Sequence, residues 1–99
     1  MGEKTQDILL LYDGQRVYAV AEEFYSSVLK KILSIVPALL PGAPYSAQRL
    51  LGREFWDPLE QKSQQLTGRC VADMVRRRKL PLRRVGCKHK YPAQYELDQ

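Results

Sequence analysis

Apolar positions change period twice along the chain. In "ILLLYDGQRVYAV" (Ile8 to Val20) two runs rich in β-branched and aromatic residues flank Asp13-Gly14. Asp-Gly supplies the positive φ angles of a two-residue turn, which predicts a β-hairpin with strands near 8–12 and 15–20. Leu9-Leu10-Leu11 blurs the alternation, so a helix competes for that first strand. The stretch "AEEFYSSVLKKILSIVPALLPG" then takes up a helical period: Tyr25, Val28, Leu29, Ile32, Ile35 and Val36 share one stripe, with Glu23, Ser26, Ser27, Lys30, Lys31 and Ser34 mostly opposite. An amphipathic helix of about four turns is expected, ended by Pro37. Leu39-Leu40 beyond it is apolar and must find cover.

Turn chemistry divides the rest of the chain. "PALLPGAP" (37–44) carries three prolines and a glycine and reads as a linker. Ser46 is placed to cap a short helix through Leu51, with Gly52 as its stop. Asp57-Pro58-Leu59-Glu60 combines an N-cap, a proline at the first helical position and a glutamate at the third, predicting a helix to about Leu66. Thr67-Gly68 predicts a break and a new N-cap, then a third helix from about 68 to 79, stopped by Pro81. "PLRRVG" and "PAQYEL" alternate enough to predict an antiparallel pair near 82–85 and 93–97 around the loop Cys87-Lys88-His89-Lys90.

The fold class is therefore α+β, in one domain over 1–99: a hairpin and helix in 1–36, a Pro-rich linker in 37–45, and a three-helix and β-hairpin unit in 46–99. A 44% hydrophobic and 27% charged composition is that of an ordinary globular chain. There is no apolar run of 18 residues and no secretory leader pattern, and two cysteines are too few for a disulfide framework. A cytoplasmic protein with no membrane contact is expected.

Charge sharpens this. Residues 1–44 hold four Lys/Arg against five Asp/Glu, a net −1, whereas residues 45–99 hold twelve against six, a net +6. Nine of those bases lie within 69–90, where Asp73 is the single acid. A localised positive field attracts polyanions. At 100° per residue, Cys70, Val71, Met74 and Val75 fall on one side of the 68–79 helix. Arg69, Ala72, Asp73 and Arg76 fall on the other, with Arg77 and Lys79 at its edges. Arg78 falls among the apolar positions, so its stem is expected to cover the core edge.

The order of elements in "SAQRLLG", "DPLEQKSQQLTGRCVADMVRRRKL" and "PLRRVGCKHKYPAQYEL" resembles the winged-helix branch of the helix-turn-helix proteins, over residues 46–97. The resemblance implies a helix in the major groove of duplex DNA and a wing against phosphates or the minor groove. By position it implies that Arg69, Asp73 and Arg76 face bases, with Thr67 near a phosphate. Arg77, Lys79, Arg83, Arg84, Lys88, His89 and Lys90 would contact the backbone. One feature runs against this: recognition helices usually reach bases with their N-terminal half, and here the arginines crowd the C-terminal end, where cations also complement the helix dipole.

The expected function is thus a nucleic-acid-binding regulator or accessory factor. The alternative is a non-enzymatic adaptor or inhibitor whose basic surface docks an acidic protein. No enzyme is expected, because one histidine and no catalytic spacing supply no convergent acid, base or nucleophile. Cys70, Cys87 and His89 lack the second close pair of a zinc site, so neither metal nor cofactor is expected. The Tyr25–Val36 stripe is read first as cover for the core; its alternative is a homodimer interface, since helix-turn-helix proteins often bind two half-sites as two-fold dimers.

Overall fold

A computed structural model describes residues 7–13, 15–86 and 93–98. The chain opens with β1 (Ile8–Asp13) and β2 (Arg16–Ala21), paired antiparallel in the register Leu9 opposite Val20 and Leu11 opposite Tyr18. The hairpin thus forms as the Asp-Gly signal predicts, and the helix that competed for its first strand does not. The first long helix, α1 (Glu22–Ile35), comes directly after it. Glu22 and Glu23 in its first turn complement the helix dipole, and it gives way to a 3-10 turn at Val36–Ala38 that contains Pro37.

The 37–45 segment is tethered rather than loose: the Leu40 amide donates to the Tyr45 hydroxyl at 3.0 Å. Leu39 packs against the core while Leu40 stays exposed. A two-residue strand that the pattern does not reveal, β3 (Tyr45–Ser46), comes next. Ser46 caps α2 (Ala47–Leu51) as expected, its hydroxyl accepting from the Arg49 amide at 3.3 Å. Gly52 ends that helix at a φ of 83°, and the short α3 (Arg53–Trp56) continues from it.

Two sequence expectations fail here. Asp57 does not start a helix. It stays in α conformation and closes α3, its amide donating to the Arg53 carbonyl. The next helix, α4 (Gln61–Arg76), begins four residues later and runs straight through Thr67-Gly68, with no break. Thr67 satisfies its own hydroxyl by donating to the Ser63 carbonyl at 2.7 Å, and it is wholly buried with Cys70, Val71 and Met74. These four recur at i, i+3, i+4 and i+7, so packing of one helical face overrides a local stop signal. The helix-turn-helix turn predicted at 67–68 is absent.

The far end of α4 is a Schellman ending. The Lys79 amide donates to the Met74 carbonyl at 2.8 Å and the Arg78 amide to the Val75 carbonyl at 3.1 Å. This holds Arg78 in the left-handed region at φ 59° and drops Leu80 into the core. The helix therefore stops at Arg76 rather than 79, and Arg78 is exposed instead of covering the core edge. Beyond it, β4 (Leu82–Val85) and β5 (Gln94–Leu97) pair antiparallel as predicted, and β5 also pairs with β3, giving the order β3-β5-β4. One core cluster joins the pieces: Leu11 and Val20 of the hairpin, Val28 and Ile32 of α1, Leu50 and Leu51 of α2, the buried face of α4, and Leu82 and Tyr95 of the sheet.

Two opposite glycine exchanges check this description. A Cβ on Gly68 meets nothing within 4 Å, so Gly68→Ala is expected to raise unfolding stability by about 0.5–1 kcal/mol through helix propensity. Arg78→Gly relieves a left-handed side chain and is expected to gain a similar roughly 0.5–1 kcal/mol. Urea unfolding midpoints read both, and a loss on Gly68→Ala would mean that the helix is broken there.

Candidate functional site

Seen along its outer face, α4 presents Gln61, Gln65, Gly68, Arg69, Ala72 and Arg76, a stripe with steps of three and four residues. The stripe lines an open groove of about 820 Å³. Leu11, Tyr12 and Tyr18 of the hairpin line it as well, as do Ser46 to Gln48 at the start of α2, Trp56, and Arg84, Ala93 and Tyr95 at the sheet. Among the described residues, three arginines and four glutamines therefore meet one concavity, and no aspartate or glutamate lines it.

Neighbouring groups position two of these cations. The Arg69 guanidinium lies 3.9 Å over the Tyr18 ring, a cation–π contact that fixes the plane of the guanidinium. Arg76 donates from Nη2 to the Tyr12 carbonyl at 2.7 Å and lies 3.3 Å from Asp73. Among the glutamines, Gln64 donates from Nε2 to the Trp56 carbonyl at 3.1 Å. The Tyr18 hydroxyl, also at the groove, is buried with no hydrogen-bond partner among the described residues.

The structure separates residues that the sequence placed on one surface. Asp73, expected to face bases, is only 2% exposed. Its Oδ2 accepts from the Tyr25 hydroxyl at 2.6 Å, and its Oδ1 lies 3.1 Å from Arg77 Nε and 3.3 Å from Arg76 Nη2. Thr67, expected at a phosphate, is fully buried in mid-helix. Arg77 is turned to Asp73, and Lys79 lies 4.8 Å over the Tyr25 ring. Arg83 pairs with Glu96 across the β4–β5 ladder at 3.2 Å. None of these lines the groove, whereas Arg69, Arg76 and Arg84 do. Lys88, His89 and Lys90, like Cys87, lie outside the described residues.

Of the stripe weighed as a dimer interface, Tyr25, Val28 and Ile32 are buried in the core, and Leu29, Ile35 and Val36 pack partly against it. Contacts with α2 and α4 thus cover much of that face within the chain, as the first reading of the stripe expects. What sequence reasoning missed is the row of glutamines. Reading 57–66 and 68–79 as one helix would have put Gln61, Gln65 and Arg69 four residues apart on one face.

Among the described residues no group of three His, Cys, Asp or Glu could hold a metal ion, and no helix is long and apolar enough to cross a membrane. Burial, reinforced by the nearby charge of Asp73, pushes the Cys70 thiol up to about 12. Burial also raises the Tyr25 phenol well above its ordinary value, with the Asp73 hydrogen bond and charge adding to it. The Tyr95 phenol is raised by burial, against the opposing charge of Arg84. No family model matches the chain, and no curated protein or solved structure shows significant similarity to it.

Two measurements probe the buried cluster. Tyr25→Phe leaves an Asp73 oxygen without its donor and is expected to cost about 1–3 kcal/mol in urea unfolding, with the helical circular dichroism kept. The raised thiol and phenol values favour the folded state while both groups are protonated. That stability is complete below about pH 9, the ordinary value of a thiol, and is lost as pH rises toward 12. The slope should approach about 1.4 kcal/mol per pH unit for each group. In Cys70→Ala the part of the decline that begins at pH 9 should vanish; an unchanged profile would exclude Cys70 as its source.

Proposed function

We propose that the protein binds nucleic acid, duplex DNA in the first instance, through the groove along α4, as a regulator or accessory factor. The observation that carries this reading is the groove lining: among the described residues, Arg69, Arg76 and Arg84 with four glutamines and no acid. Arginine is matched to the O6/N7 edge of guanine and glutamine to the N6/N7 edge of adenine, each through two hydrogen bonds. Arginine can equally hold phosphates, which give affinity without sequence information.

The helix that begins at Gln61 also removes the difficulty of arginines crowded at a C-terminal end. With α2 and α3 as the preceding helices and residues 57–60 as the connection, the proposed base-facing positions move to Gln61, Gln65 and Arg69, toward the start of α4. They no longer depend on the arginines at its end. The antiparallel sheet that comes after α4 supplies the wing of the proposed arrangement, and Arg84 stands on it. Docking of an acidic protein surface would use the same cations and gives no role to the glutamines.

Fluorescence anisotropy with labelled duplexes at several salt concentrations tests the proposal. Log affinity should fall linearly with log salt, by roughly 0.9 for each phosphate contacted. Arg84→Glu should weaken binding on the order of tenfold and flatten the slope by about 1. Arg53→Glu, the same charge change on a side chain that is 91% exposed and outside the groove, should leave it nearly unchanged. Absence of binding to any duplex at about 50 mM salt would overturn the nucleic-acid reading.

A further inference from the structure

The β1–β2 hairpin is apolar on both faces. Its inner face puts Leu9, Leu11, Tyr18 and Val20 against the core. Its outer face consists of Ile8, Leu10 and Tyr12 on β1 and Val17, Ala19 and Ala21 on β2, with no charged side chain among them. Ile8 is 54%, Leu10 48%, Tyr12 52% and Val17 52% exposed. Strands that are apolar on both faces belong to sheets covered on both sides, and no described residue covers this one. A face of this kind offers on the order of 400–500 Å² per copy, so that two copies bury close to the roughly 1,000 Å² that a specific interface needs.

The relief of the face identifies its occupant. In the pairing register Ile8 lies opposite Ala21, Leu10 opposite Ala19 and Tyr12 opposite Val17. Each pair sets a larger side chain on β1 beside a smaller one on β2. The face therefore carries a ridge along β1 and a furrow along β2, side by side. Rotation by 180° about an axis along the strands, in the plane of contact, lays the ridge of one copy into the furrow of the other. Such self-complementarity is what a two-fold interface requires. Charge distribution agrees, because two copies of a chain with net charge +5 repel least through residues 1–44, where the net charge is −1.

We infer that the protein forms a two-fold homodimer through the outer face of the β1–β2 hairpin, with Leu10 of each copy seated on Ala19 of the other. The interface is independent of nucleic acid and differs from the α1 stripe, which packs against the core of the same chain. Tyr12 belongs to both the dimer face and the rim of the groove, so the two grooves of the dimer adjoin its interface.

Sedimentation equilibrium of the full chain across about 1–200 µM, without nucleic acid, should give twice the chain mass. Ala19→Leu fills the furrow and Leu10→Ala removes the ridge, and each should weaken dimerisation by about tenfold or more, which is about 1.4 kcal/mol. Neither side chain is buried in a single copy, so circular dichroism should show an unchanged fold. The exchange Leu10→Ala with Ala19→Leu restores a ridge opposite a furrow and should return affinity to near the original value. A partner of another kind would not follow that exchange. Single-chain mass throughout, a dimer indifferent to both single substitutions, or an exchange that fails to restore association would each overturn the inference.

Discussion

The hydrogen bond from Tyr25 to Asp73 governs how the two long helices meet. It joins the first turn of α1 to the last turn of α4 across the core, at 2.6 Å between buried groups. A carboxylate that deep requires partners for both oxygens, and Arg76 and Arg77 supply the second set. Arg76 extends the link to the Tyr12 carbonyl, so one acid ties together α1, α4 and the N-terminal hairpin. Both arginines remain about half exposed, which screens their attraction to Asp73. Their contribution is better understood as geometry than as stability: with this turn of α4 fixed, the rotation of the helix is fixed, and Gln61, Gln65 and Arg69 must face the groove.

That geometry changes what the concentration of bases in 69–90 means. Nine cations within a single stretch suggest a single surface, yet folding divides them. Arg77 is drawn to Asp73, Arg83 to Glu96, and Lys79 lies over Tyr25. Arg83 and Arg84 are neighbours on a strand and point to opposite faces, so only the second reaches the groove. The proposed recognition surface consequently depends less on the arginine run than on an amide-rich helix face, with three arginines held around it.

Much of the fold was legible because local chemistry and global packing agree. The Asp-Gly signal between two runs rich in β-branched and aromatic residues, the α1 stripe, the Ser46 cap, the Gly52 stop and the strands β4 and β5 all point the same way at both levels. The failures occur where they disagree. Thr67-Gly68 is a stop signal locally, but Thr67 lies on the buried face and bonds back to Ser63, so tertiary burial keeps the helix whole. Asp73 counts as a polar position in any periodicity, and the partner that buries it, Tyr25, is 48 residues away. The β3 strand is two residues long, too short to leave a period. The groove was the least legible feature, because its lining comes from separate segments of the chain and its glutamines came into line only once α4 was continuous.

In the proposed arrangement Asp73 holds the end of α4 as structure and thereby presents the start of the helix as the working face. Amide chemical-shift mapping by ¹H–¹⁵N NMR, during titration with a short duplex, distinguishes the two ends of that helix. The largest changes are expected on Gln61, Gln64, Gln65, Gly68 and Arg69, together with Arg84, while the amides of Arg77, Arg78 and Lys79 change little. Changes concentrated on residues 77–79, with 61–69 silent, would refute this assignment of the working face.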